Sequence, residues 1–264
     1  MEPRVEPRTA GNARGRMAIP QPVSPLAARP PDLPAAVRVP VQLLFGGLAF
    51  VLGRPAFHTR GVVLAGTLRP QGAAAARLPF TAGGPRAVVG RLSKSVGLPS
   101  GVPDLYGIGV RVPDAYGPGR HQDVVLATCG RSRRTRRLLA PTRGFDRRPY
   151  ASVLAYETGA GRVLLGASYA GPPRSSPLLL ADVAAAARRG ELRFLLGVAP
   201  LGGRWRVVAT LSFDAPLSDD EAAALALNPW NTAASLRPTG VINALRHPAY
   251  VGSQRARPGP RGRR

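Results

Sequence analysis

Residues that build disulfides and metal sites are scarce in this sequence. It has one cysteine, Cys129, and three histidines, His58, His121 and His247. A single cysteine excludes an internal disulfide and a cysteine-based zinc site, and it is compatible with a reducing, cytoplasmic location. We expect Cys129 to be a small buried residue at a strand end. His121 and Asp123 would share a strand face, but two ligands do not make a metal site, and the alternative is a histidine in a surface loop.

Acidic residues and lysine are also rare. The chain has 14 Asp and Glu against 37 Lys and Arg, which gives a formal net charge of +23, and Lys94 is its only lysine. Such arginine bias is typical of a GC-rich genome, and much of the charge lies outside periodic segments, in residues 131–148 and 255–264. We interpret these stretches as solvated loops and tails. The alternative is a nucleic-acid surface, whose affinity would depend on Arg131, Arg133, Arg134, Arg136 and Arg137.

No apolar run is long enough to cross a membrane. The longest, residues 43–52, is about half of the roughly 20 residues that a spanning helix needs, and it contains two glycines. We predict a buried helix there and no membrane span. This run lies far from the N-terminus and is not followed by a small-residue cleavage site, which also argues against a signal peptide.

The two ends of the chain differ in composition from its middle. Residues 1–36 are rich in Pro, Arg and Ala without apolar periodicity, and residues 253–264 combine Gly, Pro and Arg. Such segments cannot bury enough apolar surface to offset the entropy of ordering, so both are predicted to be disordered. Residues 37–252 are predicted to form one domain.

The middle of the chain is a series of short β-type runs separated by Gly, Pro and Asp. They cover residues 61–68, 87–93, 106–112, 123–128, 151–156, 163–169, 192–198 and 205–213. In the last run, alternation places Trp205, Val207, Ala209, Leu211 and Phe213 on one face. About eight strands without regular helices between them favour a mainly β (α+β) fold, an antiparallel barrel or sandwich rather than a parallel sheet.

Two helices interrupt the predicted strands. Residues 178–189 are rich in Ala and Leu and end before Gly190, which favours helix termination. Residues 217–227 begin with a Ser218-x-x-Glu221 pattern, in which the serine caps the first turn and the glutamate returns the hydrogen bond.

Four segments carry a recognisable order of motifs. They are Phe-His-Thr-Arg-Gly-Val at 57–62, Val-Gly-Arg-Leu-Ser at 89–93, Pro-Asp-Leu-Tyr-Gly-Ile-Gly-Val-Arg-Val at 103–112, and Asn-Pro-Trp-Asn at 228–231 followed by Arg-His-Pro-Ala-Tyr at 246–250. In this order the segments resemble the haem catalase superfamily in a short, minicatalase-type form. The resemblance implies a closed antiparallel barrel of about eight strands with peripheral helices, binding haem b.

The resemblance also implies roles for individual residues. Tyr250 would ligate the haem iron as a phenolate, which the fixed charge of Arg246, one helical turn earlier, would favour. On the other side of the haem, His58 would act as general acid and base on a peroxide, and Ser93 would orient His58. Arg91 would pair with a haem propionate. Catalases carry an arginine three residues before the distal histidine, where this chain has Pro55, so a propionate contact from Arg54 is left open.

One departure from the catalase pattern bears on the reaction. Catalases have a distal asparagine where this chain has Ala127 or Thr128, and neither side chain offers an amide. The loss implies peroxidase-like activity on hydrogen peroxide or organic hydroperoxides with weak oxygen release. The alternatives are an arginine-rich barrel or nucleic-acid module that has lost haem and, less favoured, a phosphodiesterase, as some short relatives are labelled. We expect no specific nucleic-acid partner, and a homo-oligomer is left open.

Overall fold

The structure is a computed structural model that describes residues 60–75, 78–152 and 155–239. These residues contain ten strands and two short α-helices. The strands are β1 (Arg60–Pro70), β2 (Arg86–Lys94), β3 (Tyr106–Val112), β4 (Gln122–Thr128), β5 (Tyr150–Ala151), β6 (Tyr156–Thr158), β7 (Gly161–Tyr169), β8 (Arg193–Pro200), β9 (Arg206–Pro216) and β10 (Arg237–Pro238). The helices are α1 (Val183–Arg188) and α2 (Asp219–Ala224).

The strands form one antiparallel sheet that closes on itself. Strands β1 to β5 pair in order, β5 pairs with β7, and β7, β8 and β9 lead back to β1. β5 and β6 lie along the same edge of β7, so the predicted run 151–156 is two short strands rather than one. The expected closed barrel of eight antiparallel strands is confirmed.

The barrel interior is filled by the inward residues of each strand, as the alternation of apolar residues predicts. Leu64 on β1, Leu92 on β2, Ile108 on β3 and Leu126 on β4 are all buried in one core. Aromatic rings complete it, and the rings of Phe194 and Phe213 meet edge to face with centroids 6.2 Å apart. Within the described part of the chain, the barrel interior is therefore a packed core.

The predicted face of β9 is wrong at one end. Ala209, Leu211 and Phe213 are buried, but Trp205 and Val207 are exposed. Leu196 pairs with Ala209 while Gly197 pairs with Val207, so Val208 is an extra residue on β9. Such a bulge reverses the side on which the preceding residues lie.

Both predicted helices exist in shorter form. The α1 helix begins at Val183 after a 3-10 turn over Leu180–Asp182, and Gly190 follows it with a φ of 69°. The capping box of α2 is confirmed: the Glu221 N–H and Ser218 Oγ are 3.4 Å apart, and the Ser218 N–H donates to Glu221 Oε2 at 3.0 Å.

Several sequence predictions lie outside the described residues. These are the helix at 43–52 and the disorder at 1–36 and 253–264. Within the part of the chain that the structure describes, no helix is long and apolar enough to span a membrane.

Candidate functional site on the outer face of β1 to β4

The outer face of β1 to β4 carries a row of residues with small side chains. Gly61 on β1 pairs with Ser93 on β2, Ser93 with Gly107 on β3, and Gly107 with Ala127 on β4. Because residues paired across a sheet lie on the same face, these four residues form one transverse row.

Two side chains with hydrogen-bonding capacity converge on this row at Gly61. A Cβ atom on Gly61 would lie 3.0 Å from Arg91 Nε and 3.0 Å from Ser93 Cβ. Arg91 pairs with Val63, two residues further along β1, so its side chain reaches diagonally across the sheet towards Ser93. Glycine at position 61 is what allows this approach. The structure thus brings together Arg91 and Ser93, the two predicted site residues that it describes.

The two residues that stand where the catalase pattern has an asparagine, Ala127 and Thr128, lie on opposite faces of β4. Ala127 lies in the same row as Ser93, on the outer face. Thr128 is fully buried, and its Oγ1 accepts a hydrogen bond from the Tyr106 N–H at 3.2 Å. Ala127 is therefore the residue next to the candidate site, and its methyl group forms no hydrogen bonds.

The next row of this face is covered by the segment that follows β9. Leu225 packs with Val63 and Val89, and Leu227 joins the same small apolar cluster. A Cβ on Gly109 would lie 2.2 Å from Leu227 Cδ1, so this glycine makes room for the leucine. The covering segment limits the candidate site to the row that begins at Gly61.

A buried ion pair attaches the covering segment to the barrel. Asp123 on β4 accepts hydrogen bonds from Arg111 Nε at 2.8 Å and from Arg111 Nη2 at 2.7 Å. It also accepts from the Asn228 N–H at 2.8 Å and from Asn231 Nδ2 at 3.0 Å. The Asn-Pro-Trp-Asn motif of the sequence therefore forms the anchor of this segment.

Sequence reasoning does not find this anchor. The motif at 103–112 contains Arg111 but gives it no role, and the sequence suggests Asp123 only as a metal ligand beside His121. The sequence does place Arg111 and Asp123 on adjacent predicted strands. This placement indicates an ion pair only when the register of the two strands is known, and the register pairs Arg111 with Asp123.

His121 lies just before β4 and not within it, so it does not share a strand face with Asp123, and its burial contradicts the expectation of an exposed loop histidine. Its imidazole is buried, and Nδ1 accepts a hydrogen bond from the Asp114 N–H at 3.1 Å. Burial, followed by the nearby charge of Arg111, lowers the pKa of His121, so the ring is neutral at neutral pH. Among the described residues, no group of three His, Cys, Asp or Glu could hold a metal ion.

Cys129 is buried directly after β4, as predicted. Burial raises the pKa of its thiol to about 11. The remaining predicted site residues, Arg54, His58, Arg246 and Tyr250, lie outside the described residues. Their roles stay predictions.

No protein-family model matches the chain, and no curated protein matches it. Among solved structures, the chain is similar to one described as a bacterial catalase, with a TM-score of 0.54 and 14% sequence identity. The match covers 98% of this chain and 68% of the catalase chain. A likeness at this identity shows the fold alone, so the chain has a catalase-like fold.

The donor set of the outer face fits one side of a flat, anionic cofactor. Arg91 carries a guanidinium, whose fork matches a carboxylate, and Ser93 carries a hydroxyl on a residue that is only 3% exposed. The row Gly61, Ser93, Gly107 and Ala127 has no bulky side chain to hold a planar ring away from the sheet. Haem, a planar ring with two propionates, has this shape and charge.

Proposed function

We propose that this protein binds haem b against the row that begins at Gly61 and acts on hydrogen peroxide or organic hydroperoxides. The observation that supports the proposal most strongly is the convergence of Arg91 and Ser93 on the outer face of a catalase-like barrel. Arg91 would hold a propionate, and Ser93 would orient His58. Tyr250, made anionic beside Arg246, would ligate the haem iron.

Haem, when bound, would supply the iron that exchanges electrons with the peroxide. The residues of the chain would move the protons. His58 would take a proton from one peroxide oxygen and deliver it to the other, which leaves as water or alcohol. Such general acid and base catalysis contributes about 100-fold to 10,000-fold to a rate.

Ala127 determines which reaction we propose. The full catalase cycle needs a second peroxide held in position, and a methyl group offers it no hydrogen bond. Cleavage of the first peroxide needs only a positioned base. We therefore propose peroxidase-like activity with weak oxygen release.

The test compares peroxidase activity and oxygen release of haem-loaded protein in three forms: wild type, His58→Ala and Ala127→Asn. We expect His58→Ala to lower peroxidase activity by about 100-fold or more, since it removes the acid and base. We expect Ala127→Asn to raise oxygen release relative to peroxidase activity. Unchanged activity in His58→Ala would remove this residue from the mechanism. Oxygen release that is no higher in Ala127→Asn than in the wild type would refute the role of Ala127.

A further inference from the structure

The arginine-rich loop that follows β4 is fixed to the turn between β8 and β9. Arg136 is 2% exposed, and its guanidinium donates to the carbonyl of Pro200 at 2.8 Å and to that of Gly203 at 2.9 Å. It also donates to the Leu201 carbonyl. Arg136 is therefore structural, which corrects its assignment to a solvated loop or a nucleic-acid contact.

The other arginines of the loop point to solvent. Arg133, Arg134 and Arg137 are exposed, whereas Arg131 donates to the Arg147 carbonyl. Burial, followed by the positive charge of Arg133, lowers the pKa of Arg136. Arg136 thus ties the loop that carries these three exposed cations to the β8–β9 turn.

An aromatic ring lies at the same place. Trp205 directly precedes β9, and Arg136 Cζ lies 5.3 Å from the centroid of its ring. A Cβ on Gly166 would lie 2.5 Å from Trp205 Cη2, so the indole rests on the barrel wall, yet 40% of the residue is exposed. Arg204 and Arg206, on either side of it in the chain, are exposed as well. We call Arg133, Arg134, Arg137, Arg204, Trp205 and Arg206 the Trp205 patch.

The charge of the Trp205 patch is not neutralised within the described part of the chain. The ion pairs there involve Lys94, Arg111, His121, Arg147, Arg174 and Arg189. None of the five patch arginines has a carboxylate partner among the described residues. Five exposed guanidinium groups without a carboxylate partner, on the two segments that Arg136 ties together, and a partly exposed indole beside that tie are suited to a polyanion.

We propose that the Trp205 patch binds single-stranded nucleic acid without sequence preference. Guanidinium groups bind phosphates through paired hydrogen bonds, and an exposed aromatic ring stacks on a base of any identity. Proteins that bind single strands combine these two features. The proposal is independent of haem binding. It differs from the nucleic-acid surface considered from the sequence, because Arg136 supports the patch instead of contacting the ligand.

The first test measures binding of a fluorescein-labelled oligothymidine of about 12 nucleotides by anisotropy across a range of salt concentrations. Each phosphate contact to a single strand contributes about 0.7 to the slope of log affinity against log salt. In the double variant Arg133→Ser with Arg134→Ser, which removes two such contacts, the magnitude of this slope should therefore be smaller by about 1.4. Its matched control is Arg188→Ser with Arg193→Ser, which removes the same charge from exposed residues in α1 and at the start of β8.

Arg193 begins β8, whereas the β8–β9 turn follows Pro200, so about 20 Å separate the control site from the patch. We expect the control to bind as the wild type does. If both double variants lost affinity equally, the oligonucleotide would be attracted by net charge alone, and the proposal would be overturned. It would also be overturned if the wild type did not bind the oligonucleotide near physiological salt.

The second test separates a single strand from other polyanions. The protein has two tryptophans, of which Trp230 is 1% exposed, so solvent-accessible quenching reports on Trp205. Oligothymidine should quench this fluorescence, inorganic polyphosphate should not, and Trp205→Ala should weaken oligothymidine binding several-fold while leaving polyphosphate binding unchanged. Equal effects on the two ligands would refute stacking. Tighter binding to phosphatidylserine vesicles than to the oligonucleotide would identify a membrane surface instead and overturn the proposal.

Discussion

At the scale of single residues, the buried pair of Arg111 and Asp123 connects the barrel to the segment that covers it. Both side chains are 0% exposed, and Asp123 also accepts hydrogen bonds from Asn228 and Asn231. Ionised groups in such surroundings are tolerated only when each is paired, because removing either partner leaves an uncompensated buried charge. Removal of one partner of this pair should therefore destabilise the protein more than removal of one partner of a surface ion pair.

We predict that Asp123→Ala lowers the free energy of unfolding by about 3 to 5 kcal/mol, since it leaves the Arg111 charge buried without a partner. Urea denaturation measures the change. Asp214→Ala is the control, because Asp214 is an exposed carboxylate on β9 and should change stability by less than about 0.5 kcal/mol. Similar losses in the two variants would show that the ion pair has no special role.

Cys129 gives a second prediction at this scale. Because burial raises the pKa of its thiol to about 11, on the order of one thiol in a thousand is ionised at pH 8. Alkylation of the native protein by iodoacetamide should be slow, and it should become faster as pH rises towards the raised pKa. The same thiol in urea should react at the rate of a free cysteine. Equal rates in the native and the unfolded protein would contradict the burial of Cys129.

At the scale of elements, α2 and the residues after it act as a cover for β1 to β3. The capping box fixes where α2 begins, and Leu225 and Leu227 then meet the outer face of the barrel. Gly109 is the point of closest approach, so its lack of a side chain determines whether the cover can lie flat.

Gly109→Ala should destabilise the protein by about 1 to 3 kcal/mol, because the new methyl group would overlap Leu227 and force the cover outwards. Gly84→Ala is the matched control, since a Cβ at Gly84 meets nothing within 4 Å. Differential scanning calorimetry of the two variants measures the difference. A Gly109→Ala protein as stable as the control would mean that Leu227 does not pack on β3.

The strands and helices could be predicted from the sequence where the pattern that specifies them lies within a few neighbouring residues. Alternating apolar residues and turn residues located the strands, and Ser218 with Glu221 located the start of α2, because each pattern acts within a few residues. The reversed face at Trp205 was not predictable, since the bulge at Val208 depends on the register with β8. The Arg111–Asp123 anchor and the burial of Arg136 likewise depend on contacts between residues far apart in the chain.

At the scale of the whole molecule, closure of the sheet defines what the protein can bind. The pairing of β7 with β8 closes the barrel, and the interior is filled by side chains. The two binding regions that we propose both lie on the outer surface of this barrel. The face that carries Arg91 and Ser93 suits a flat anionic cofactor, and the Trp205 patch suits an extended polyanion.

The central claim is that this catalase-like barrel binds haem through Tyr250, and the absorbance spectrum of protein produced with haem supply tests it most directly. We predict a Soret band with the features of ferric high-spin iron bound to a phenolate. Tyr250→Phe should lose this spectrum. Tyr169→Phe should retain it, because the Tyr169 hydroxyl donates to the Glu191 carbonyl at 3.2 Å and has no role in the proposed site. A wild-type protein that stays colourless and takes up no added haemin would contradict the claim.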